Sequence, residues 1–136
     1  MREFCIEALI ENLEQVLSFI GDCLEETGCS AKLRLQIDVA VEEIFVNIAS
    51  YAYYPETGSA VICAEITEEP RMIVIKFIDR GKPYNPLAKP DPDVTASIDE
   101  RNPGGLGIFM TKKYMNEMEY EYKDGQNILT MKKKIE

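Results

Sequence analysis

"VEEIFVNIASYAY", residues 41–53, decides how this chain is read. It lies in a run whose apolar positions, Leu33, Ile37, Ala40, Ile44, Ile48 and Tyr51, recur at helical spacing, with Val41 and Phe45 widening the stripe. A helix this apolar is expected against a sheet rather than in water. Two polar residues interrupt it. Glu43 and Asn47 are four apart and share one face of the helix. They read either as a carboxylate and an amide at a solvated edge, or as a proton acceptor beside an oxygen donor for a hard cation such as Mg²⁺. Glu42 points about 100° away and is the weaker candidate.

Working outward, Ser30 is placed to cap this helix. Before it, MREFCI reads as a short strand with Phe4 and Ile6 on one face. From Glu7 to Glu26 a first amphipathic helix carries Leu9, Leu13, Val16, Leu17, Ile20 and Leu24, and Gly28 follows where a helix stop is expected. After Pro55 and Gly58, SAVICAEIT and MIVIKFID read as a hairpin joined by EEPR. Prolines 83, 86, 90, 92 and 103 then punctuate a long loop, of the kind that is usually functional. Helical spacing returns from Leu106 to Met118, and a terminal hairpin turns at Asp124-Gly125. This order predicts an α/β two-layer sandwich, helices covering one face of a mostly antiparallel sheet.

The chain's 136 residues are the length of one domain, and 46% hydrophobic with 29% charged residues is ordinary globular composition. A net charge of −9 argues against direct nucleic-acid binding. No apolar run is long enough to span a bilayer, and the acidic N-terminal stretch lacks the order of a signal peptide, so no membrane association and a cytoplasmic location are expected. MKKKIE reads as a solvated strand end. The four cysteines show no CxxC pair, and there is no histidine. Zinc ligation and Ser-His or Cys-His nucleophile chemistry are thereby disfavoured, and the cysteines read as buried or partly buried free thiols.

Two further stretches carry polar chemistry. In FIDRGKPYNP, Asp79 ends a strand and Gly81 opens the loop. That pattern reads as a turn, or as a carboxylate accepting a hydrogen bond from an exocyclic amine beside a glycine that lets a flat ring approach. In NPGGLGIFMTKKYM, Gly104, Gly105 and Gly107 stand where a helix begins, although glycine costs about 1 kcal/mol there relative to alanine. The stretch is either a flexible loop end or a set of bare amides offered to phosphate oxygens. No GxxxxGK[ST] sequence is present.

Together, a helical ExxxN, a strand ending in DxGxP and a long loop closing on GGLG make a specific order of element types. In this order the sequence resembles the GHKL family of ATP-binding domains, and within it the small stand-alone serine kinases that act as anti-sigma factors. The likeness runs from NLEQVLSFIGDCLEETG to the terminal hairpin. It implies an α+β fold of the Bergerat type, a two-layer sandwich on a mostly antiparallel mixed sheet, with residues 1–136 as one ATP-binding domain. Glu43 would be the general base and Asn47 the Mg²⁺ ligand. Asp79 would bind the adenine amino group with Gly81 beside the ring. Gly104, Gly105, Leu106 and Gly107 would bring backbone amides to the phosphates, and residues 84–103 would form a lid.

Two places depart from the family pattern. Tyr51-Ala52-Tyr53 stands where relatives often carry His-Gly-Tyr or His-Ala-Tyr. Gly125-Gln126-Asn127 stands where many carry a Gly-Thr pair, so that Asn127 would replace the threonine's hydrogen bond through water. The function implied is an ATP-dependent serine kinase that binds a sigma factor and phosphorylates an antagonist protein on serine. The alternatives are an ATP-gated protein-binding module with little phosphotransfer, and an orphan histidine-kinase catalytic domain acting in trans. The exposed face of the first helix and a free sheet edge leave room for a homodimer.

Overall fold

The computed structural model describes residues 1–88 and 103–135, with side chains of the second segment described from residue 107 onward. Strand β1 (Arg2–Glu7) is followed by a 3-10 turn (Ile10–Asn12), α1 (Leu13–Glu25), α2 (Ala31–Asn47) and a π-helical turn (Ile48–Ala52). Then come β2 (Ser59–Thr67), β3 (Met72–Asp79), a 3-10 turn (Pro86–Ala88), α3 (Pro103–Tyr114), β4 (Glu117–Lys123) and β5 (Gln126–Lys134).

The strands form one sheet in the order β1-β2-β3-β5-β4, antiparallel at every described pairing. Residues directly opposite one another share a face, so the register draws rows across the sheet. One inner row is Phe4, Ile62, Phe77, Leu129 and Tyr120; the next begins with Ile6 and Ala60 and ends with Asp79 and Asn127 beside Tyr122. Strict alternation along β3 buries Ile73, Ile75, Phe77 and Asp79. The apolar members of these rows form one core with Val16, Ile20 and Leu24 of α1 and Ile37, Val41, Ile44 and Phe45 of α2. Full burial of a side chain such as Phe77 contributes roughly 1.5–3 kcal/mol. The same alternation that builds this core carries Asp79 to its polar margin.

Local chemistry sets several boundaries where the sequence places them. Ser30 Oγ accepts from the Leu33 amide at 3.1 Å. Gly28 takes the left-handed conformation after α1, with φ of 66°. Asp124 and Gly125 both have positive φ, 54° and 76°, as a two-residue hairpin turn requires.

Three expectations about the helices are corrected. Helix α1 starts at Leu13 rather than Glu7, because Glu7 pairs with Ser59 and the Ala8 amide donates to the Gly58 carbonyl at 2.8 Å. Helix α3 ends at Tyr114, because the Asn116 amide donates to the Lys132 carbonyl at 2.9 Å and Met118 pairs with Met131 in the sheet. Tyr51 leaves the apolar stripe and is 65% exposed, since the π-helical turn after Asn47 advances less per residue than an α-helix and rotates the face away.

All four cysteines are free; Cys23 and Cys63 are buried and Cys29 is half-buried, while Cys5 is exposed on the outer side of an edge strand, against expectation. Among the described residues, no helix is long and apolar enough to cross a membrane.

Candidate functional site

Helix α2 presents Glu43 and Asn47 on one half-buried face, with Asn47 Nδ2 donating to Glu43 Oε1 at 3.4 Å. Glu42 is exposed. Burial pushes the Glu43 carboxyl above its ordinary range; the hydrogen bond from Asn47 acts the other way, and the neighbouring charge of Glu42 adds to the rise. Helix α3 packs on α2, with Gly107 set against Glu43. A Cβ at 107 would overlap the Glu43 carboxylate, so glycine there lets one helix lie directly on the acid of the other.

The second polar group sits at the end of β3. Asp79 is only 5% exposed, and its Oδ1 accepts from the Gly81 amide and from Asn127 Nδ2, both at 2.9 Å. Gly81 has a packing reason of its own: a Cβ there would strike the Ala52 carbonyl, whose oxygen accepts from the Lys82 amide at 3.0 Å. Tyr53 fastens the same corner. Its hydroxyl donates to the Ser59 carbonyl at 2.6 Å and accepts from the Arg80 amide at 2.8 Å. Burial raises the Tyr53 phenol pKa, which keeps it in the donor form that this bridge needs.

A cavity of about 360 Å³ lies between α2 and the sheet, within the range of ligand pockets, roughly 300–1,000 Å³. Ile44, Ile48, Phe77 and Leu129 give it apolar walls, and Asn47, Asp79 and Asn127 open onto it. The structure thus brings Asn47 and Asp79 to one cavity, with Glu43 bonded to the first. Gly104, Gly105 and Leu106 fall in the first turn of α3, and Gly107 follows them. Of the lid expected over 84–103, residues 89–102 lie outside the described residues.

Several residues escaped sequence reasoning. Asn127, expected to replace a threonine's hydrogen bond through water, instead bonds directly to Asp79. Tyr120 and the Tyr84 amide both donate to Asn127 Oδ1, the latter at 3.1 Å. The hairpin turn at Asp124-Gly125 fixes Tyr120 and Asn127 on one face, a signal present in the sequence. The pairing of β5 with β3 is long-range and carries no such local mark.

Residues 6–133 match the family described as histidine kinase-like ATPase domain. The chain belongs to that family. Among curated proteins, this ATPase domain is 29% identical over 102 residues to the serine/threonine-protein kinase BtrW of Bordetella bronchiseptica, covering 75% of this chain and 71% of the relative. Among solved structures it is similar to the RsbU and RsbW domains of Rv1364c from Mycobacterium tuberculosis, with a TM-score of 0.68 at 17% identity. That likeness covers 99% of this chain and 33% of the other, so this chain spans about a third of that structure. At such identity the match speaks for the fold. The α+β architecture and the GHKL-type family read from the sequence both stand.

Proposed function

We propose that residues 1–136 form one ATP-binding domain that transfers the γ-phosphoryl group of Mg-ATP to a serine of an antagonist protein and also binds a sigma factor. The observation that carries this reading is an apolar cavity with the Asp79 carboxylate on its wall and a second carboxylate, Glu43, bonded to the lining residue Asn47. Glu43 has few bonds and an elevated pKa beside Asn47, whereas Asp79 is held at the far strand end. The family supports use of ATP, and the kinase relative supports a protein hydroxyl as acceptor. With no histidine in the chain, autophosphorylation on histidine is not available to it.

The residues suit the groups. Asn47 spends its Nδ2 on Glu43, which leaves its carbonyl oxygen for a hard cation. Among the described residues no three acidic or thiol side chains gather into a metal cage, so a magnesium ion would be held chiefly by the nucleotide phosphates with Asn47. Bound Mg-ATP supplies the transferable phosphoryl group and neutralises charge developing on its oxygens.

Glu43 takes the proton of the attacking hydroxyl as the oxygen–phosphorus bond forms and ADP leaves. Asp79 accepts a hydrogen bond from the adenine amino group. At the start of α3 the amides of Gly104 and Gly105, which a helix leaves without an internal partner, together with the helix dipole, favour phosphate oxygens, and Leu106 and Gly107 continue the same glycine-rich approach. Apolar walls exclude water from the ring.

The test is a transfer assay with γ-labelled Mg-ATP and candidate serine-bearing antagonist proteins, alongside a pull-down of sigma factors with and without nucleotide. Label on an antagonist serine supports the kinase reading. Tight ATP binding with no labelled protein would replace it with the ATP-gated binding module.

A further inference from the structure

Asn127 is 7% exposed and every hydrogen-bonding position of its amide is taken. Nδ2 donates to Asp79 Oδ1 and to the Lys82 carbonyl, each at 2.9 Å, with the Gly81 carbonyl sharing at 3.4 Å. Oδ1 accepts from the Tyr120 hydroxyl and from the Tyr84 amide at 3.1 Å. An amide offers two donors and two lone pairs, so none is left for a ligand. Only one orientation of the amide suits these neighbours: acceptors surround its nitrogen and donors its oxygen.

The consequence falls on Asp79. All hydrogen bonds that the described residues direct at its carboxylate land on Oδ1, from the Gly81 amide and Asn127. No buried side-chain nitrogen or oxygen among the described residues lacks a partner. Oδ2 is therefore not sealed away, and Asp79 is among the residues that line the cavity.

We propose that Asn127 is the positioning residue for base selection. It holds Asp79 so that Oδ2, an acceptor, faces the exocyclic group of the base, and so favours a 6-amino over a 6-oxo purine triphosphate. The inference rests on the nucleotide reading of this cavity. An amine donates to Oδ2, whereas an oxo group sets one acceptor against another. Asn127 acts through Asp79 and touches no ligand itself. Its bonds to Lys82 and Tyr84 also tie the chain leaving β3 to β5, so the carboxylate and the loop beside it are fixed by one side chain.

Calorimetry of the full chain with Mg-ATP and with Mg-inosine triphosphate tests this. The wild type should prefer ATP by at least ~100-fold, as expected of a site built to bond an amine. Asn127→Leu keeps the branched shape and removes every side-chain hydrogen bond; the preference should fall below ~10-fold, through weaker ATP binding with inosine triphosphate little changed. Tyr120→Phe leaves the Tyr84 amide in place and should lower the preference by only ~2–3-fold.

An unchanged preference in a folded Asn127→Leu protein, or equal weakening toward both nucleotides, would overturn the proposal. If that variant does not fold, Asn127→Thr decides. It retains one short donor and should still lower the preference at least ~3-fold. A wild type that binds neither nucleotide would bring down the nucleotide reading and this inference together. A selective wild type with an equally selective variant removes only the role of Asn127.

Discussion

Asp79 and Glu43 are both carboxylates set among apolar neighbours, yet the chain holds them in different ways. Asp79, 5% exposed, has one oxygen filled by two hydrogen bonds of 2.9 Å from groups that are themselves fixed. Glu43, half-buried, takes from the described residues one hydrogen bond, of 3.4 Å, from a neighbour on its own helix. Burial, only partly offset by that one donor and reinforced by the charge of Glu42, is what raises its proton affinity. A group that must recognise is best kept in one place, and a group that must take a proton is best left short of partners. On the proposed function, the Asp79 wall of the cavity and the Glu43–Asn47 pair follow that division.

The largest effect expected from breaking it is at the reactive end. Glu43→Gln keeps the shape and the contact with Asn47 but cannot take a proton. Phosphotransfer should fall roughly 10²–10⁴-fold, the usual worth of a general base, while ATP affinity changes less than about threefold. Single-turnover rates and calorimetry on the same preparation separate the two. An unchanged rate would remove Glu43 from the chemistry.

Next is Gly81→Ala at the recognition end. The added methyl meets the backbone carbonyl of Ala52, which also accepts from the Lys82 amide and cannot swing aside. Overpacking against backbone should cost about 1–3 kcal/mol of stability, read from urea denaturation. An alanine tolerated there without loss would mean that this corner is looser than its hydrogen bonds indicate.

These residues differ in how far the sequence could announce them. The Glu43–Asn47 pair was legible because four residues on one helix is a local spacing. So were the Ser30 cap and the Asp124-Gly125 turn, whose chemistry is complete within a few residues. The start of α1 was not, because it depends on Glu7 meeting Ser59 across β1 and β2. Nor was the direct Asn127–Asp79 bond, which spans 48 residues and exists only once β5 lies against β3. Tyr51 misled for a subtler reason. Its spacing suits an α-helix, but the chain changes helical pitch after Asn47.

Gly107→Ala should give a smaller effect and one of mixed sign. Its methyl would also overlap a neighbour, but here the neighbour is the tip of the flexible Glu43 side chain. The carboxylate can rotate away, and alanine favours a helix over glycine by about 1 kcal/mol. Stability should therefore hold or rise slightly, while transfer drops about tenfold because the base is displaced. A loss of stability comparable to that of Gly81→Ala would show that Glu43 is as rigidly held as Asp79.

The smallest effect is the pH dependence of stability, and its sign tests the Glu43 carboxylate most directly. Because burial raises the folded pKa of Glu43 above its unfolded value near 4.3, the ionised form is disfavoured by folding. At neutral pH the wild type carries that desolvation cost and Glu43→Gln does not, so the variant should melt slightly higher. As pH falls through the folded pKa, the wild-type carboxyl binds its proton in the folded state first and regains the lost stability. The melting difference should close by the time the unfolded pKa is passed. A carboxylate stabilised by donors would behave in the opposite way, with substitution destabilising at neutral pH and becoming harmless in acid. Thermal denaturation of both proteins across this range, read as a difference, tells which kind of carboxylate Glu43 is.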